Sequence, residues 1–177
     1  MLFTHKDLVE RSKLGDQKTQ YKLYSLYVNA MFNVSIRMVK SKEDAEDILQ
    51  ESFTEAFRNL ESFRYESTFG SWLKRIVINK SINHLKLKRI PLIAFDNHEN
   101  MIIQEEEEDI KEENLDVSSI KLFIKQLPQG YQTIINLYLI EGYDHGEISE
   151  ILGITTSTSK SQYHRAKKKL ITLMNSL

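Results

Sequence analysis

The 177-residue chain has no cysteine, only two prolines and six glycines. Without cysteine there is no disulfide framework, no thiol nucleophile and no thiolate metal site, and an intracellular address follows most simply. Scarce proline and glycine, with an apolar pattern of helical period in most segments, predict an almost entirely helical protein, and no convincing alternating strand occurs. Long apolar runs are also missing. The start, MLFTHKDLVERSK, has no apolar signal core, and the cluster Ile134 to Ile140 is interrupted by Asn136 and far too short to span a bilayer. These absences predict a soluble, cytoplasmic protein with no stable membrane insertion. No glycine-rich phosphate loop is present, and His5, His84, His98, His145 and His164 lack ligand-like spacing, so no catalytic residue, metal site or cofactor is expected.

The net charge of -1 conceals a strong local asymmetry. Residues 105–116, EEEEDIKEENLD, carry eight carboxylates against one lysine, a net -7 that leaves +6 for the rest of the chain. Fields near a binding face depend on where charges sit, so the average charge does not argue against a nucleic-acid partner.

The periodicity predicts a short first helix, a break at Gly15 and Asp16, and a long helix to about Val39. Tyr21, Tyr24, Tyr27, Val28, Met31, Phe32 and Met38 lie in or near the buried side of that long helix. Ser41 with Asp44 has capping-box spacing and opens a helix over 42–60, whose core stripe is Ala45, Ile48, Leu49, Phe53, Ala56, Phe57 and Leu60. A loop over 61–70 leads to a fourth helix from Ser71 to about Arg89. Residues 90–115 mix one proline, scattered apolar residues and the acidic run, which predicts a flexible linker. Helical periodicity resumes at about Asp116. The expected architecture is all-α: two small helical domains, 1–89 and 116–177, joined by an acidic linker.

The second domain ends in EGYDHGEISEILGITTSTSKSQYHRAKKKL, Glu141 to Leu170, which reads as two short helices meeting at a tight turn. Asp144 and Glu147 have capping-box spacing, and Gly153 follows the last periodic apolar residue, where a left-handed cap favours glycine. Thr155, Thr156 and Ser157 offer N-cap hydroxyls for a helix to about Leu173, with Tyr163, Ala166, Leu170 and Leu173 inward. Its outward side carries Lys160, Ser161, His164, Arg165, Lys167 and Lys168. From Lys160 to Lys169 there are five Lys or Arg and no carboxylate, which suits phosphates and purine edges. A basic helix alone is equally a solvated face; the preceding helix, glycine turn and hydroxyl cap turn the reading toward DNA.

Two further surfaces remain once the cores are assigned. Asp47, Gln50, Glu51, Thr54 and Arg58 form a polar stripe at three- and four-residue spacing, a pattern that by itself also fits a water-facing helix. In FRYESTFGSWLKRIVINKSINHLKLKR, Phe63 to Arg89, the residues Arg75, Asn79, Asn83 and Lys86 share a helical face, with Trp72, Ile76 and Val77 directed into the core. The loop before them offers Phe63, Tyr65, Phe69, Ser67 and Thr68, aromatics and hydroxyls able to stack an unpaired base and bond its edge. Phe63, Phe69 and Trp72 are equally able to seal the core.

Taken together, the segment from Asp44 to Leu85 resembles domain two of a bacterial sigma factor of the extracytoplasmic-function (ECF) group. Leu127 to Leu170 resembles domain four of the same group, and order, spacing and linker also fit. The resemblance implies that the D-x-x-Q-E-x-F helix, through Asp47, Gln50, Glu51 and neighbours such as Thr54, binds the clamp of core RNA polymerase, with Phe53 packing. It implies that Arg64, Tyr65, Ser67, Thr68 and Phe69 of the loop, with Arg75, Asn79, Asn83 and Lys86, open the minus-ten element and hold a melted single strand. It assigns duplex reading of the minus-thirty-five element to Thr158, Lys160, Ser161, His164, Arg165 and Lys168. Ser159 stands where the family usually has an aliphatic residue and Gln162 where it usually has an arginine, which implies an altered cap contact and a missing phosphate contact. Partners implied are core polymerase, promoter DNA, and an anti-sigma factor covering the same surfaces.

Tether length agrees with a large scaffold. Two DNA elements two turns apart are separated by roughly 70 Å. A flexible 26-residue tether averages about 25 to 30 Å, with a ceiling near 90 Å. The rival reading is a helix-turn-helix regulator that acts on a two-fold symmetric duplex without polymerase, and it leaves the Phe63 to Arg89 surface unexplained. A helical adaptor for protein partners is a third.

Overall fold

Side-chain caps mark where the helices begin. In the computed structural model, which describes residues 5–93 and 117–176, α1 (Lys6–Lys13) ends at Gly15, whose φ of 83° is open to glycine at little steric cost. Asp16 then caps α2 (Gln17–Val39) by accepting from the Lys18 and Thr19 N–H groups at 3.0 and 3.4 Å. Ser41 Oγ accepts from the Asp44 N–H at 3.2 Å and opens α3 (Lys42–Arg58). Each such cap contributes about 1 kcal/mol. One 3-10 turn, Leu60–Ser62, precedes the loop, and α4 (Phe69–Leu87) starts two residues earlier than the expected Ser71. Thr68 is the reason: its Oγ1 accepts from the Ser71 N–H and its carbonyl from the Trp72 N–H, both at 3.0 Å.

The first helices bury Leu23, Val34, Met38, Ile48, Leu73, Val77 and Ile82 against one another. Ser52 and Ser81 are fully buried, and their hydroxyls donate to the Ile48 and Val77 carbonyls of their own helices at 2.6 and 2.8 Å. The buried stripe of α2 includes the expected Met31 and Met38, with Tyr27, Val28 and Phe32 half-buried, but departs from expectation in the first turns. Tyr21 is 72% exposed and Tyr24 is also exposed, while Thr19 and Leu23 are buried. At 100° per residue Tyr21 lies about 160° from Leu23, so the two cannot share the buried face.

The second set comprises α5 (Val117–Gln126), α6 (Gln129–Ile135) running on as one π-turn (Asn136–Ile140), α7 (His145–Leu152) and α8 (Thr156–Met174). Gln132, buried, donates its amide to the Lys125 and Leu127 carbonyls at 2.8 and 2.5 Å and so ties α6 to the end of α5. The core beneath α8 is Ala166, Leu170, Ile171 and Met174, with the expected Tyr163 and Leu173 half-buried. Contacts divide the chain into two compact units, Met1–Leu85 and Lys86–Leu177. All regular structure among the described residues is helical. The acidic linker expected at 90–115 lies, from residue 94 onward, outside the described residues.

Candidate protein and nucleic-acid interfaces

On α3 the buried positions Ala45, Ile48, Ser52, Phe53 and Ala56 leave Asp47, Gln50, Glu51, Thr54 and Arg58 on the solvent side, all exposed. Phe53 packs, as expected, and it meets Tyr24 of α2 edge-on at 4.8 Å between ring centres. Beside the stripe runs an open groove of about 770 Å³ lined by Tyr24, Val28, Phe32, Leu49, Phe53 and Phe57 together with the polar Asn29, Lys42, Glu46, Gln50 and Thr54. The stripe therefore shares Gln50 and Thr54 with a furrow of aromatic, aliphatic and polar side chains, the mixed composition of a protein-docking surface. On the other flank Lys80 of α4 places its Nζ 2.8 Å from Glu55 and 3.5 Å from Glu51. The hydrogen bond to Glu55 raises the lysine's affinity for its proton, against a smaller loss from burial. Helix spacing within α3 gave no sign of this ion pair or of the furrow, because both depend on a second helix.

The loop and α4 form the second surface. Arg64, Asn79, Asn83 and Lys86 are exposed, and Tyr65, Ser67, Thr68 and Arg75 are half-buried. Ser67 Oγ donates to the Thr68 carbonyl at 3.3 Å, and the Thr68 hydroxyl is occupied in capping α4. Phe69 requires correction. At 2% exposure its ring is enclosed by Tyr27, Phe63 and Trp72, with centroids 5.2, 6.1 and 5.9 Å away, so it is part of the aromatic core and no base can reach it. Trp72, expected in the core, is half-buried and leans on Phe63 at 5.3 Å, continuing the face of Arg75 and Asn79. About 300° separates positions three apart on a helix, so that face was readable from Trp72 to Arg75.

The third surface is the helix pair. Asp144 Oδ1 accepts from the Glu147 N–H at 2.8 Å while Glu147 accepts from the Asp144 N–H at 2.9 Å, completing the capping box. Gly153 caps α7 at φ 71°, and Thr155 Oγ1 accepts from the Thr158 N–H at 3.0 Å to start α8. Lys160 and Lys168 are exposed, and Thr158, Ser161, His164 and Arg165 are half-buried. Ser159 is fully buried, its hydroxyl 2.9 Å from His145 Nδ1. The His145 ring stacks on Tyr138 at 4.7 Å, and Tyr163 closes the group at 4.4 Å from Tyr138. Burial first, then the Lys160 charge, hold the His145 imidazole below the ordinary value of 6.5, with Asp144 pulling the other way. Gln162 is 6% exposed, so its amide is directed into the core.

Comparison with known proteins bears on all three surfaces. A family model for Sigma-70 region 2 matches residues 23–89, and one for Sigma-70, region 4 matches residues 118–170. The ECF RNA polymerase sigma-E factor of Haemophilus influenzae is 34% identical over 177 residues, covering 94% of this chain and 93% of that protein. The chain belongs to the ECF sigma factors. The ECF RNA polymerase sigma factor SigW of Bacillus subtilis is 30% identical, with 93% of this chain and 94% of that one covered. Among solved structures, the sigma factor RpoE from Bartonella quintana, in complex with the anti-sigma factor NepR, shares the fold at TM-score 0.58 and 21% identity, covering 88% of this chain and 96% of that one. CnrH, in complex with the cytosolic domain of CnrY, does so at TM-score 0.56 and 20% identity, covering 96% of each chain.

As an ECF sigma factor the protein is a regulatory subunit that directs RNA polymerase to promoters. Its polar α3 stripe and α4 lie within the region 2 match, and the helix pair lies within the region 4 match. Among the described residues no helix is long and apolar enough to cross a membrane, and no group of three potential metal ligands occurs.

Proposed function

We propose that Asp47, Gln50, Glu51 and Thr54 on α3 dock on core RNA polymerase, with the α2–α3 furrow taking apolar side chains of the same partner. Arg64, Tyr65, Ser67 and Thr68 of the loop, with Arg75, Asn79, Asn83 and Lys86 of α4, open and hold the minus-ten element. Thr158, Lys160, Ser161, His164, Arg165 and Lys168 read the minus-thirty-five element in the major groove. Residues 1–89 then act as the polymerase and minus-ten domain, 90–115 as tether and 116–177 as the minus-thirty-five domain, in the cytoplasm and without catalytic chemistry of the protein's own.

The observation that carries the assignment is the division of faces. On α3, α4 and α8 alike, one face is buried, through Ala45, Ile48 and Phe53, Leu73, Val77 and Ile82, and Ala166, Leu170 and Ile171, while every residue assigned to a partner is exposed or half-buried. A regulator acting without polymerase gives no role to the region 2 match. An anti-sigma factor covering the α3 and α8 surfaces is the regulatory partner that family membership favours.

Competition binding to core polymerase tests the first contact. Asp47→Arg with Gln50→Ala is expected to weaken binding about thirtyfold, the scale of a disrupted interface centre, with helicity unchanged. Undiminished binding would remove α3 from the interface.

A further inference from the structure

α1 lies before the residues matched by region 2, which begin at 23, and none of the surfaces above uses it. Its polar side chains nevertheless reach a loop fifty residues away. Tyr65 Oη donates to Glu10 Oε1. Lys13 Nζ donates to the Phe63 carbonyl at 3.2 Å and pairs with Glu10 at 3.1 Å. The Lys13 and Lys6 ammonium groups stand 4.7 and 5.5 Å from the centre of the Tyr65 ring, within cation–π range. Phe63 supports the same ring at 4.7 Å. Amid these contacts Tyr65 adopts a φ of 61°, a left-handed conformation that a bulky residue rarely takes and that persists only where its surroundings over-determine it.

We propose that α1 braces the minus-ten loop: Glu10 and Lys13 fix Tyr65 and the Phe63 carbonyl, so that Arg64, Ser67 and Thr68 are set for an unstacked base before DNA arrives. Glu10 and Lys13 are positioning residues, and their role rests on the assignment of this loop to the minus-ten element. Without the Glu10 acceptor, Tyr65 relaxes toward negative φ, which turns the chain on both sides and re-aims Arg64 and Ser67. A loop ordered in advance avoids paying the ordering entropy at the moment of base capture. The docking stripe on α3 makes none of these contacts, so polymerase binding and promoter opening are separable.

The test uses the full chain with Glu10→Ala, Lys13→Met, and Glu10→Gln, which keeps an acceptor for Tyr65. Three quantities are measured: hydrogen exchange of the 64–68 amides, affinity for core polymerase, and the rate of promoter opening by permanganate reactivity. Glu10→Ala and Lys13→Met are expected to speed exchange of those amides and slow opening about tenfold, less than the loss a 1 Å misplacement can cause. Polymerase affinity should stay within about twofold, a change of under half a kcal/mol, and Glu10→Gln should restore both other readouts. Unchanged exchange, or faster exchange with normal opening, would overturn the brace. If the wild-type protein with core polymerase opens no promoter, the assignment of the loop itself falls, and the brace's role in opening falls with it.

Discussion

Tyr65 in the loop and Phe69 at the first position of α4 are four residues apart, yet the structure gives them opposite tasks. Phe69 fills the aromatic core between Tyr27 and Phe63, so Phe69→Ala is expected to destabilise the first unit by about 3–5 kcal/mol, read as a lower midpoint in urea. A loss of promoter opening with unchanged stability would return Phe69 to the DNA-contacting set. Tyr65, by contrast, is held from outside by Glu10. That bond lowers the Glu10 carboxyl from its ordinary 4.5, and burial together with the same bond raises the Tyr65 phenol from its ordinary 10.0. A depressed acid stabilises the fold above its unfolded value and loses that contribution as pH falls through its folded value. A raised phenol does the reverse on the alkaline side. The loop's exchange protection is therefore expected to be level between the two ordinary values and to fall only beyond them; a step near neutrality would contradict the tether.

At the scale of elements, the helix pair rests on the His145–Ser159 contact between the starts of α7 and α8. Because His145 is held below 6.5, the neutral ring is the form the fold favours, and its stabilisation is complete above that value and declines as pH falls through the folded value. Denaturation of the second unit should thus become easier on acidification below 6.5, and His145→Phe should flatten the dependence. An identical pH profile for the variant would remove the histidine from the account. The elements themselves were legible wherever a local rule decides them. Asp144 with Glu147, Gly153 and Ser41 acted where capping chemistry places them, since each motif is satisfied by its own neighbours in the chain. What was not legible depends on a second element. Ser159, marked in the sequence only as a departure from an aliphatic pattern, is explained by an imidazole fourteen residues away. Lys80, Tyr65 and the furrow beside Phe53 likewise take their meaning from another helix. Tyr21 was misplaced although the angular pattern around Leu23 contained the answer.

For the whole molecule, each unit brings only a few assigned cations to DNA, and binding that releases few counterions is weak and moderately salt-dependent. The free protein is expected to bind a promoter duplex weakly, with affinity falling by tenfold or more between about 50 and 200 mM salt, as a titration by anisotropy would report. Tight binding to a symmetric duplex in the absence of polymerase would favour a regulator that acts alone. Promoter selection by the protein takes place on the polymerase. It is tested most directly by run-off transcription from a library of promoter fragments with purified core polymerase, with and without the protein. Initiation from a defined subset of fragments, abolished by Asp47→Arg with Gln50→Ala, is the expected result. A protein that binds core polymerase yet directs initiation from no fragment would contradict it.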